Sequence, residues 1–156
     1  MMGQLTSGEI DNLLHQAVLG RIGCSDGQKI YVIPISYVYD GQYVYCHTHE
    51  GLKIDILRKN PTVCFEVEII ENLANWQTVI AHGVFEELTD PALRMDALQK
   101  LYDRRLPAIT SQTTKLKEEW PFGAESLGQI EGIALRIRLD SKTGRFEKAG
   151  ETVGSM

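Results

Sequence analysis

The chain has 156 residues, 21 acidic against 16 basic side chains and a net charge of -5, which suits one domain with one hydrophobic core, burying roughly 70% of the unfolded surface. No run of Lys or Arg offers the footprint that nucleic acid or an anionic membrane requires, and no apolar stretch approaches the roughly 18 residues of a bilayer span. Cys24, Cys46 and Cys64 are odd in number and widely spaced, so they read as buried thiols; with no signal pattern in residues 1–20, the expected location is cytoplasmic.

In chain order, Thr6-Ser7-Gly8-Glu9 matches a capping box, with the Thr6 hydroxyl accepting from a free amide and the Glu9 carboxylate reaching back. The spacing of Ile10, Leu13, Leu14 and Ala17 predicts a helix over residues 7–18. Residues 19–25 read as a strand and Asp26-Gly27 as the turn into a second strand over residues 30–39. Pro34 has no amide donor, so that strand is an edge there, or is interrupted where something other than a strand, such as a ligand, approaches. Asp40-Gly41 is a hairpin signal returning the chain through residues 42–49.

Residues 51–59 read as a short helix ended by Asn60-Pro61, residues 62–70 as an alternating strand, and residues 71–75 as a loop. A long strand over residues 76–88 carries Gly83 as a bulge or close-approach point. Asp90-Pro91 is an N-cap followed by proline at the first helical position, with Leu93, Ala97, Leu98 and Leu101 as one apolar stripe and an end near Arg105, before Pro107. Residues 108–129 are polar apart from Trp120-Pro121-Phe122 and give no clear element. The last element is a strand over residues 130–139, followed by Ser141-Lys142-Thr143-Gly144 as a turn; residues 150–156 read as a disordered tail on a single domain of residues 1–149. About six strands on short connections and three helices predict a small antiparallel barrel with helices outside.

The Gly51-Leu52-Lys53 helix start offers unsatisfied amides and the positive end of a macrodipole, an arrangement that attracts phosphate. The dipole supplies about 0.3 to 1 kcal/mol, so Lys53 and Thr48 must add to it, and an ordinary surface helix with a solvated lysine would show the same residues. His47 and His49 share one strand face, with Cys46 on the other, and lack a third ligand for zinc. No nucleophile elbow, dinucleotide fingerprint or Walker loop occurs, so any catalysis would draw its reactivity from a cofactor.

Leu19-Gly20-Arg21-Ile22-Gly23, Tyr31-Val32-Ile33-Pro34-Ile35-Ser36-Tyr37, Tyr45-Cys46-His47-Thr48-His49-Glu50-Gly51-Leu52-Lys53, Asn60-Pro61-Thr62-Val63-Cys64-Phe65-Glu66-Val67 and Val79-Ile80-Ala81-His82-Gly83 together resemble the pyridoxamine-phosphate-oxidase-like flavoproteins. The nearest branch is the nitroimidazole-resistance group, and the resemblance runs from about residue 6 to residue 147. It implies an FMN-binding split β-barrel, mainly β with flanking helices, assembled as a homodimer with one FMN at each of two sites between the subunits. Carried onto this chain, Ile33, Pro34, Ile35 and Ser36 would lie along the isoalloxazine, His47 and Thr48 would line the ribityl and phosphate region, and Lys53 would bind the phosphate. Thr78 and Val79 would approach the ring, which Trp76 or Trp120 would cover.

Members that oxidise pyridoxamine phosphate carry Arg where Leu52 stands, and a C-terminal substrate segment that residues 141–150 do not reproduce. That substrate is therefore not expected. The implied function is reduction of small electron-poor molecules such as nitroaromatics, through FMN, by a reduced nicotinamide. The alternative is a non-catalytic flavin- or haem-binding module for sensing, storage or protection, in which His47 and His49 would serve as axial ligands; the superfamily also contains deazaflavin binders.

Overall fold

The structure, a computed structural model, describes residues 1–104 and 127–150. Its elements are β1 (Met2–Gln4), α1 (Ser7–Gln16), β2 (Leu19–Ser25), β3 (Ile30–Ser36), β4 (Val38–Tyr39), β5 (Tyr43–Thr48), α2 (Leu52–Lys59), β6 (Thr62–Asn72), β7 (Asn75–Glu87), α3 (Pro91–Asp103), a short 3-10 turn (Leu127–Gln129) and β8 (Ile133–Glu147). The strands form one sheet in the order β3-β2-β6-β7-β8-β5-β4, with β1 beside β8, and every pairing is antiparallel. The end strands β3 and β4 are separated in sequence only by Tyr37, so the two edges of the sheet must come together and the sheet must curl. Among the described residues no ladder joins β3 to β4, and the barrel remains split along that seam.

The expected single strand over residues 30–39 is therefore two strands on opposite edges. Tyr37 makes the crossing: its amide donates to Val18 O at 3.0 Å, continuing the β2 ladder, and its buried hydroxyl donates to Leu14 O at 2.7 Å. A β-rich run records the preference for extended backbone but not which neighbour each residue pairs with. The expected turn at residues 141–144 lies inside β8, paired through Ser141 to His82 and Gly144 to Val79. Gly144 is small because a Cβ there would lie 2.8 Å from Leu5 Cδ1 and 2.9 Å from Ile10 Cγ1, so it marks close packing of α1 rather than a reversal.

The caps follow the sequence with one change. Thr6 Oγ1 accepts from Glu9 N at 3.3 Å, but the Glu9 carboxylate accepts from the Thr6 hydroxyl rather than from its amide. Helix α1 ends at Gln16, two residues short of expectation. Asp90 caps α3 through Leu93 N at 3.1 Å; Ala97, Leu98 and Leu101 are buried as expected, but Leu93 is exposed. Residues 71–75 form the tight β6–β7 hairpin, and β1 and β4 raise the strand count among the described residues to eight. Arg105, Pro107, Trp120-Pro121-Phe122 and residues 151–156 lie outside the described residues.

The barrel interior is filled by Ile22, Val44, Cys46, Phe65, Val67, Val79 and Ile137, with α1 contributing Ile10, Leu13 and Leu14 and α2 contributing Ile54, Ile56 and Leu57. Each of the large side chains stabilises the fold by about 1.5–3 kcal/mol relative to exposure. A second cluster seats α3 on the outside of β5 and β8. No helix among the described residues is long and apolar enough to cross a membrane.

Candidate functional site at the barrel split

The split is lined by two strand edges. Tyr37 N bonds Val18 O and Asp26 N bonds Lys29 O; with the β2–β3 register, this parity turns the main-chain groups of Tyr31, Ile33 and Ile35 toward β2. Those of Val32, Pro34 and Ser36 face the open edge. Pro34 therefore removes no ladder bond, and the outward edge keeps the amides of Val32 and Ser36 and all three carbonyls. The side chains divide differently: Ile35 is buried, Ile33 packs against the core, and Pro34 is exposed on the outer face beside Arg21. Across the split and among the described residues, β4 pairs with β5 only at Tyr45 and Val44, so beyond Tyr45 β5 is laddered on its β8 side alone. Arg104, at the end of α3, donates to Tyr37 O at 3.1 Å and Ser36 Oγ at 3.3 Å.

Helix α2 begins beside this gap. Thr6 and Asp90 cap α1 and α3, whereas the N-cap of α2 is Gly51, in extended backbone, with no side-chain hydrogen bond to the first-turn amides among the described residues. Among the described residues Lys53 has no hydrogen-bond or ion-pair partner, and Leu52 beside it is half exposed. Of the carboxylates near this start, Asp55 stands in the first turn of α2, and Glu50 is held by Arg58 Nη1 and Nη2 at 2.9 and 2.8 Å; Arg58 also binds Glu87 at 3.0 and 2.8 Å. That bracket pins the turn before α2 to the end of β7 and offsets the Glu50 charge, which would repel an anion.

Cys46 faces inward on β5 and is fully buried; burial pushes its thiol up to about 12, against the positive charges of Arg104 and Lys53, which are its electrostatic neighbours. Because the folded value lies above the usual 9.0, the stability it contributes is complete below that value and declines as pH rises toward 12. Cys46 is accordingly expected to resist a thiol reagent in native protein at pH 8 and to react once denatured. Mass mapping of the modified cysteines checks this, and rapid native labelling of Cys46 would contradict it.

Strand alternation separates two residues expected to act together. Thr48 is buried, on the inward side with Cys46, while His47 faces outward, in register with Ala134 under α3. The His47 ring donates from Nε2 to Glu131 O at 2.6 Å and meets His49 edge-on at 5.4 Å between centroids. Burial lowers the His47 pKa, His49 and Arg94 add to this, and the Glu131 bond opposes it, so the ring favours the neutral form. Among the described residues no cluster of three His, Cys, Asp or Glu side chains forms a metal site.

Thr78 and Val79 also part company. Val79 is fully buried in the core. Thr78 lies on the outer face, its hydroxyl 3.1 Å from Glu66 Oε1, in a network where Arg21 Nη1 donates to Glu66 at 3.3 Å and Glu68 at 2.9 Å. Pro34, Arg21, Glu66 and Ile80 stand in register across β3, β2, β6 and β7, so this polar centre shares its face with Pro34. Around it Leu19, Ile30, Val32, Ile70 and Ile80 are exposed. Burial, followed by the Glu68 charge, raises the Glu66 pKa. Trp76 donates from Nε1 to Glu147 at 3.0 Å and lines a cavity of about 310 Å³ with Ile69, Gln77 and Phe146, at the β6–β7 hairpin end and not at Lys53.

Arg21, Arg94, Arg104 and Gly132 were not singled out from the sequence. Gly132 alone carried a signal, as a glycine inside the strand expected over residues 130–139, which instead begins at Ile133.

An antiparallel barrel left open along one seam, with an uncapped helix start beside that seam, defines the split-barrel class. Residues 6–145 match the family model described as pyridoxamine 5'-phosphate oxidase, and the chain belongs to that family. An uncharacterized protein of Rhizobium meliloti (strain 1021) is 30% identical over 140 residues, covering 85% of this chain and 87% of that one. A FAD-binding protein from Mesorhizobium loti shares the fold at TM-score 0.70 and 24% identity, covering 95% of this chain and 99% of its own. A candidate 5-nitroimidazole antibiotic resistance protein from Bacteroides thetaiotaomicron gives 0.69 at 19% identity, covering 94% and 89%. The FAD and haem binding protein of Mycobacterium smegmatis gives 0.68 at 17%, covering 95% and 74%.

Proposed function

We propose that this chain is an FMN-binding flavoprotein that reduces small electron-poor molecules, such as nitroaromatics, at the expense of a reduced nicotinamide in the cytoplasm. The observation that carries the reading is the uncapped start of α2 with Lys53 beside the seam, together with an open β3 edge whose proline points outward. The donor set suits the cofactor: first-turn amides and an ammonium for a phosphate, and the amides and carbonyls of Val32, Pro34 and Ser36 for the edge of a planar heterocycle. Of residues 52 and 53 only Lys53 supplies charge.

A flavin bound there would accept hydride and pass electrons on, so the protein needs no nucleophile of its own. Lys53 and the α2 amides would anchor the tail, the β3 edge would fix the ring, and the apolar surroundings would exclude water. The outer face that carries Leu19, Val32, Ile70 and Ile80 around the Arg21–Glu66 centre suits a homodimer interface, which would bring a second subunit against Pro34. The flavin named for the Mesorhizobium loti protein and the nitroimidazole resistance named for the Bacteroides protein point the same way.

The second reading, a non-catalytic flavin or haem carrier, draws on the His47–His49 pair and the haem named for the Mycobacterium smegmatis protein. The visible spectrum of freshly purified protein separates the two: flavin bands are expected, and a Soret band would favour the carrier. Chromatography of the released chromophore distinguishes FMN from FAD or a deazaflavin. Anaerobic bleaching by a reduced nicotinamide, reversed by a nitroimidazole, is the expected enzymatic behaviour; failure to bleach would overturn the reductase reading.

A further inference from the structure

Residues 130–132, which lead into β8, present three successive carbonyls to two different partners. Arg94, on the first turns of α3, donates from Nη2 to Ile130 O at 2.7 Å and to Gly132 O at 3.2 Å. Between them, Glu131 O accepts from His47 Nε2 at 2.6 Å. Gly132 stands at φ +96, and a Cβ there would lie 2.6 Å from Thr48 O, 2.9 Å from His47 Nε2 and 3.0 Å from His49 Nδ1. The loop is thus pressed onto the main chain that runs from β5 into α2, and Arg94 holds it there from a separate helix.

We infer that Arg94 is a positioning residue for the α2 phosphate corner, acting through the Ile130 and Gly132 carbonyls to hold His47 as its Nε2–H tautomer and to fix the turn that launches α2. Its functional consequence rests on the flavin reading; its structural action on His47 does not. Both bonds leave one nitrogen, Nη2, whose two hydrogens lie in the rigid guanidinium plane, a geometry that a lysine ammonium on a flexible stem reproduces only in part.

Full-length wild type, Arg94→Gln and Arg94→Lys, labelled with ¹⁵N-histidine, test this by two-bond ¹H–¹⁵N correlation of the His47 ring, FMN titration and thermal melting. Wild type is expected to show one Nε2–H tautomer. Arg94→Gln is expected to mix tautomers and to raise the FMN dissociation constant about tenfold, with Arg94→Lys intermediate. An unchanged tautomer and unchanged FMN affinity in Arg94→Gln would overturn the inference, as would equal melting losses in both variants with the tautomer intact. If wild type binds no FMN, the flavin reading falls, and the His47 tautomer pattern alone decides the role of Arg94.

Discussion

Lys53→Ala is expected to weaken FMN binding about ten- to hundredfold while leaving the melting temperature close to wild type. The magnitude is that of the bond between the ammonium and the phosphate: a hydrogen bond to a charged group contributes about 1.5–3 kcal/mol, and 1.4 kcal/mol is a factor of ten in Kd. The remaining anchor, the first-turn amides of α2, contributes only about 0.3–2 kcal/mol through the helix dipole and cannot compensate. The fold should tolerate the change because Lys53 has no ion-pair or hydrogen-bond partner among the described residues and the buried side of α2 is made by Ile54, Ile56 and Leu57. Lys53→Arg keeps the charge and should retain most of the affinity. Fluorescence titration of the three proteins with FMN reads this directly, and an unchanged Kd in Lys53→Ala would remove Lys53 from the site.

Gly83→Ala should be the most damaging small substitution on the sheet, with an expected loss of about 3 kcal/mol or more and a fall in melting temperature of roughly 6–12 °C. A Cβ at Gly83 would lie 2.1 Å from Arg138 O and 3.0 Å from both Arg138 C and Ile137 Cγ2. The obstacle is the main chain of the neighbouring strand, so no rotamer change relieves it. The β7–β8 register shifts at this point: His82 pairs with Ser141 and Gly83 with Leu139, leaving Asp140 as the extra residue of a bulge. Gly8→Ala is the control, since a Cβ there meets nothing within 4 Å and Gly8 sits in α1. It is expected to stabilise the protein by about 0.5–1 kcal/mol. A Gly83→Ala protein that melts within a degree of wild type would show that the two strands can separate at the bulge without loss.

The parts of this fold that were legible were those set by local chemistry. Residues 19–25 form a strand with the expected limits, Gly27 and Gly41 take positive φ in the two turns read from their sequences, and Asp90-Pro91 caps and opens α3. What failed depended on partners distant in the chain. The strand switch at Tyr37 is invisible in a run of β-formers, and the apparent turn at residues 141–144 is overridden by a ladder with β7. At the site, Pro34 and Lys53 stood out by residue type: one lacks a donor and the other adds a charge at a helix start. The separation of His47 from Thr48 follows from strand alternation. Arg94 reaches the Ile130 and Gly132 carbonyls, and Arg104 the Tyr37 carbonyl at the seam, only because α3 packs along β5 and β8, and nothing near them in sequence announces it.

The central claim joins an anion anchor at α2 to a planar ring at the open edge of β3. Titrating the wild-type protein with FMN and with riboflavin, which has the same ring and no phosphate, tests both halves in one measurement by flavin fluorescence. FMN is expected to bind at least tenfold tighter than riboflavin, with riboflavin still binding measurably through the ring. Equal affinities would contradict the phosphate corner, and no binding of either would contradict the flavin site itself.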